Sequence, residues 1–194
     1  MTVIVLCVAV TGAGMAGSRH LSKRSRYIAE EILPSLVHMA MANQFHGQAF
    51  QHLVCAVNAK DVGRLRVEEA EVRSYSEMSQ KELGLFEKSD DVDKHRELFK
   101  DFLADRETYL KTRNKILLLC DAGNRIEAMN EMMESLLPMY DRYLDKSQEL
   151  MEHLSNDGIV EAQAIGSVSA WVQVFTMLSS ILIFFFGFIL GYTR

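Results

Sequence analysis

The sequence predicts an all-α protein, an antiparallel up-and-down four-helix bundle flanked by two transmembrane helices, and three observations carry that reading. Both ends of the chain are uncharged and apolar, over residues 1–18 and from Ala162 to Thr193, whereas the stretch between them is polar. Only two prolines, Pro34 and Pro138, occur in 194 residues, and Glu, Lys, Met, Leu and Ala dominate the centre, a composition that supports helix and little else. Apolar residues recur there at alternating spacings of three and four, the seam of a bundle helix. The expected divisions are a first span at 1–18, a bundle domain at 19–169 and a second span at 170–192.

The first element contains TVIVLCVAVTGAGMAG, which is short for a span, rich in Gly and Ala, and preceded by no basic residue. It reads as a span with a truncated start, in preference to a signal peptide cut near Ala16. Bundle helices are expected at about 19–57, 60–88, 91–121 and 125–169. The first carries the seam Ile32, Leu36, Met39, Phe50, Leu53 and Val57. The third carries Phe99, Phe102, Tyr109, Ile116 and Cys120, and the fourth Ile126, Met129, Met133, Leu136 and Tyr140. The breaks between them are Asn58 to Asp61, the N-cap cluster Ser89-Asp90-Asp91, and Asp121-Ala122-Gly123-Asn124, which joins a C-cap glycine to the next N-cap. Short connections make successive helices antiparallel neighbours. Asn156-Asp157-Gly158 is a weak point in the last helix, read either as a break or as a solvated turn.

The closing element, WVQVFTMLSSILIFFFGFILGY, is bracketed by Trp171 and Tyr192. At ~1.5 Å rise per residue these lie roughly 32 Å apart, matching a bilayer core with an aromatic at each interface.

A formal net charge of −5 gives no field for nucleic acid. Cys7, Cys55 and Cys120 form no CxxC and no zinc spacing, and the two in the bundle read as small buried side chains. His38 and His52 stand two heptads apart, but no His-x3-His and no Glu-x-x-His occurs, so no metal or cofactor is expected. There is no Gly-rich phosphate loop, no nucleophile elbow and no acid–base carboxylate pair, so an enzyme is not expected either.

The seams contain polar residues whose desolvation requires a partner or a ligand. Asn43 and His46 fall on the first seam, Arg106 and Arg113 on the third. Antiparallel pairing places Arg113 near Glu68 and Glu69, Arg106 level with Tyr140, and Asn43 level with Tyr75. Two readings stand. Arg113 or Arg106 holds a small carboxylate in two-point geometry beside aromatic walls. Alternatively Arg113 pairs with Glu69, while Asn43 and His46 fix helix register or a dimer seam.

Two stretches, EILPSLVHMAMAN and KILLLCDAGNRIEAMNEMMESLLPMYDRYLDKSQELMEH, give the chain a family resemblance. The first has a leucine-proline at the start of helix one; the second has an apolar run, a D-x-G turn, an alanine and L-x-P-x-Y. The chain resembles the four-helix-bundle sensory region of methyl-accepting chemotaxis proteins, shared with some histidine kinases and cyclases. That resemblance implies a receptor in the bacterial inner membrane, its central domain periplasmic, binding a small ligand and acting as a homodimer or beside full-length chemoreceptors. Its candidate ligand residues are Arg106, Arg113, Asn43, His46, Tyr75 and Tyr140. Such receptors continue into a HAMP linker and a cytoplasmic coiled coil, whereas this chain stops at Arg194 and reads as a sensor without its output. The alternatives are a truncated bundle serving as an interaction partner of full-length receptors, or the sensor half of a kinase or cyclase. The basic cluster Arg19, Lys23, Arg24 and Arg26 opposes a periplasmic domain under the positive-inside rule, although that rule weakens for long loops.

Overall fold

A computed structural model describes residues 17–192, the side chains of residues 175 and 178–192 excepted. Of the expected 1–18 span only Gly17 and Ser18 are described; the rest of it, with Cys7, lies outside the described residues, as do most side chains of the expected second span. The described residues are helical apart from short connections, with no strand among them. None of the described helices is long and apolar enough to cross a membrane.

Residues 17–27 are helical and pass through a π turn, Ile28–Ile32, into α1, Leu33–Val57. Helix α2 spans Val62–Phe86, and α3 spans Arg96–Asp121 after a short turn of helix, Asp91–Lys94. A helical segment Arg125–Glu131 then runs through a second π turn, Met132–Leu136, into α4, Leu137–Tyr192. The Asn156-Asp157-Gly158 stretch stays helical.

Each break has a local cause. Asp61 caps α2 by accepting a hydrogen bond from the Arg64 amide at 2.8 Å. After α3, Gly123 takes φ +77°, the Gly123 amide donates to the Cys120 carbonyl and the Asn124 amide to that of Leu119, a Schellman closure. The expected N-cap at Ser89-Asp90-Asp91 is corrected: Ser89 Oγ donates back to the Phe86 carbonyl, and neither Asp90 nor His95 makes a side-chain cap. Asn124 also stands at its N-cap position without a side-chain bond.

Both prolines follow a π turn, each after one intervening residue, Leu33 or Leu137. Pro138 has no N–H to give and its ring crowds the preceding turn, and the last amide before it, Leu137, reaches back five residues to the Met132 carbonyl. Pro34 stands at the start of α1 but inside a helix continuous from residue 17, so its missing N–H and ring fall just past a π turn, as they do at Pro138.

The described residues divide into two compact units, one at 31–156 and one formed by those before 31 and after 156. In the second of these, the Arg24 Nη1 lies 2.9 Å from Glu161 Oε2. A Cβ on Gly17 would lie 2.8 Å from Val172 Cγ2, so the absence of a side chain permits that close approach.

In the 31–156 unit, side-chain ladders establish the expected up-and-down order. Helix α1 meets α2 through His38 with Glu82 and His52 with Glu68, and meets α4 through Asn43 with Ser147 and Phe50 with Tyr140. Helix α3 meets α2 through Arg106 with Gln80 and Arg113 with Ser76, and meets α4 through Phe102 with Tyr143 and Thr112 with Met139. In every ladder one number rises as the other falls, so these neighbours are antiparallel.

The seam of α1 is regular, with Ile32, Ser35, Met39, Ala42, His46, Ala49, Leu53 and Ala56 buried, and so is that of α3, from Phe99 to Cys120. The expected fourth seam is corrected. Ile126 is 82% and Met133 55% exposed, while Ala128, Met132 and Leu136 are buried, followed by Tyr143, Ser147, Leu150 and Leu154. The four-residue steps from 128 to 136 contain one residue more than a heptad, and the π turn at Met132–Leu136 absorbs it.

Candidate functional site

The core falls into two apolar blocks. One gathers Leu53, Val57, Leu65, Val72, Ile116 and Leu136; the other gathers Met39, Leu83, Phe86, Phe99, Phe102 and Leu154. Between them the inward positions become polar.

His46 occupies that layer from α1 at 2% exposure. Its ring lies 4.0 Å from the Tyr143 centroid, 4.4 Å from Tyr109 and 5.6 Å from Tyr140, and its buried Nε2 has no hydrogen-bond partner. Burial, with smaller contributions from Arg106 and Arg113, brings its pKa down to about 3, so the imidazole is neutral near pH 7. One turn earlier Asn43 shares hydrogen bonds with Ser147 Oγ, the closer at 2.6 Å, and its Oδ1 accepts one from the Tyr143 hydroxyl at 3.2 Å. Ser79 closes the same level by donating to the Ala42 carbonyl at 3.0 Å.

The two arginines enter from α3 at 7% and 9% exposure. Arg106 donates through Nη1 to Gln80 Oε1 at 2.8 Å, leaving a buried Nε without a partner. Arg113 donates through Nη1 to Ser76 Oγ at 2.5 Å and through Nη2 to Asn114 Oδ1 at 2.9 Å. Every one of these acceptors is neutral. The expected pairing of Arg113 with Glu69 is corrected: Glu69 takes Arg66 at 2.9 Å, and Arg66 also reaches Asp121 at 2.8 Å. Burial lowers both guanidinium pKa values and raises those of Tyr109 and Tyr143.

Of the six residues singled out in the sequence, five converge here: Arg106, Arg113, Asn43, His46 and the half-buried Tyr140, which stacks on Phe50 at 4.2 Å. Tyr75 does not. It stacks with His52 and Phe45 along α1 and α2, so its expected pairing with Asn43 is corrected. Nor do Asn43 and His46 face a subunit seam, since their partners lie on this chain's own α3 and α4. The sequence reading missed Tyr143, Ser147, Ser76 and Gln80. The three-and-four spacing of Tyr143, Ser147, Leu150 and Leu154 was the available signal, and following the outer face past the π turn hid it. Among the described residues no group of three or more His, Cys, Asp or Glu side chains is arranged to hold a metal.

Fold and layer together define an all-α bundle module with charged groups held inside by helix packing. The chain belongs to the family of four-helix-bundle sensory modules for signal transduction, whose model matches residues 1–163. It is therefore a sensory module of the chemoreceptor type. No curated protein and no solved structure matches the chain.

Proposed function

We propose that this module is the extracytoplasmic part of a membrane receptor, without enzymatic activity, that binds a small organic acid in the layer between the two apolar blocks. One observation carries the reading: two guanidiniums, buried at 7% and 9% exposure, are held only by neutral oxygens. Buried charge without counter-charge is costly, and a carboxylate is the partner whose geometry suits arginine. His46, Tyr109, Tyr140 and Tyr143 supply an aromatic wall, and neutral His46 adds no competing charge.

The apolar runs at 1–18 and 170–192 act as the anchoring spans in the inner membrane, and ligand binding passes through them as a change between two packings of the bundle. The receptor pairs with a second copy through the outward stripe Leu33, Val37 and Met41 of α1, exposed by 52%, 52% and 37%.

A thermal-shift screen of organic and amino acids on the full chain in detergent tests the ligand. A binder at about 100 times its dissociation constant adds about 2.7 kcal/mol to the folded state. Arg113→Ala is expected to remove that gain. A wild type that no small acid stabilises would sink the carboxylate reading.

A further inference from the structure

Helices α1 and α2 carry matched residues at one heptad position. His38 meets Glu82, Phe45 meets Tyr75 and His52 meets Glu68, each step seven residues along one helix and seven back along the other. The Nδ1 of His38 lies 2.7 Å from Glu82 Oε2, and that of His52 lies 2.8 Å from Glu68 Oε2. A carboxylate only accepts, so Nδ1 carries the proton in both rings and Nε2 is the atom that takes up a second. The histidine side chains are 27% and 29% exposed and both glutamates 12%, so solvent reaches the bases while the acids stay largely covered.

From α2, the charged group facing His38 is Glu82. His52 faces Glu68 and stacks on Tyr75 at 5.4 Å, and the other oxygen of Glu68 lies 3.6 Å from the exposed Arg64.

We propose that the α1–α2 seam is a proton-binding clasp, so that the module senses the acidity of its surroundings in addition to a small ligand. Protonation turns two hydrogen bonds from neutral imidazoles to carboxylates into two ion pairs. They stand 14 residues apart, roughly 21 Å along α1, so both ends of the seam tighten together about the Phe45–Tyr75 stack. Imidazoles change charge between about pH 5 and 8, where this switch would operate. That the tightening is read as a signal rests on the sensory function proposed above.

The test compares the full chain in detergent, as wild type and as Glu68→Gln/Glu82→Gln, at pH 8.0 and 5.5. Glutamine keeps an acceptor for Nδ1–H and removes the charge. Loss of the Arg64–Glu68 pair sets a fixed offset at pH 8.0, and the variant is expected to fall a further roughly 2–4 °C behind wild type at pH 5.5. A gap of equal size at both pH values overturns the proposal. His38→Gln/His52→Gln must show the same acid-specific loss; its absence there counts equally against it. Hydrogen exchange of residues 38–52 and 68–82, normalised for intrinsic rate, should gain protection in acid only in wild type. Equal gain in wild type and variant overturns the clasp. None of these substitutions touches Arg113, so the small-acid screen can fail or succeed by itself.

Discussion

His46 sets the acid limit of the module. Its folded pKa, about 3, lies below the ordinary 6.5, so below pH 6.5 the unfolded chain binds a proton that the folded one refuses. Its contribution is therefore complete above pH 6.5 and is lost as pH falls toward 3, by roughly 5 kcal/mol across the whole shift. Denaturant unfolding at pH 7 and pH 4 should show a steep decline in wild type and a shallower one in His46→Phe, which has nothing to protonate. Arg113 gives the second residue-scale expectation. Because its acceptors are Ser76 and Asn114, removing it strands no carboxylate, and Arg113→Ala should leave the midpoint in buffer within about 1 kcal/mol of wild type. A loss of 3 kcal/mol or more would mean that a buried ion pair had been broken.

Among the elements, the turn after α3 and the π turn before α4 make the sharpest demands on sequence. Gly123 at φ +77° has open space around a Cβ position, so Gly123→Ala should cost about 1–2 kcal/mol from backbone strain alone, measurable as a shifted unfolding midpoint. In the fourth helix, deleting Glu134 together with Pro138→Ala should convert the π turn to ordinary helix and keep Leu136 and Tyr143 on the core face. Deleting Asp145 has no such slack. It swings Ser147, Leu150 and Leu154 by about 100° and should cost several kcal/mol, seen as a collapse of the melting midpoint. That difference also explains what could be read in advance. The regular seams of α1 and α3 were legible, down to the burial of His46, Arg106 and Arg113, because a 3.6 period converts number into face. The fourth seam was not, because one extra residue shifts the phase and nothing local marks it except the proline that follows. Side-chain partners were the least legible: Glu69 turned to the nearer Arg66, and Asn43 to Ser147 and Tyr143, choices that rest on distances no pattern encodes.

At the level of the whole molecule, the family assignment and the helical fold of the described residues agree, and the proposed membrane orientation is the quantity to measure. A phosphatase reporter active only outside the cytoplasm, fused near Asp90, should be active. Inactivity there, with a fluorescent cytoplasmic reporter at the same point, would reverse the orientation in favour of the basic cluster from Arg19 to Arg26. Association should depend on the outward stripe of α1, so Val37→Glu should convert a dimer to a monomer in sedimentation without loss of helicity, whereas Asn43→Leu should disturb the fold within one chain. The split core bears on how such a receptor diversifies over generations. Two apolar blocks hold the rods together from either side, so the small polar side chains between them, such as Ser76 and Gln80, contribute little of the apolar burial that keeps the chain folded. On the ligand site proposed above, substitutions at Gln80 or Ser76 change what the layer can hold while the two blocks keep the scaffold together.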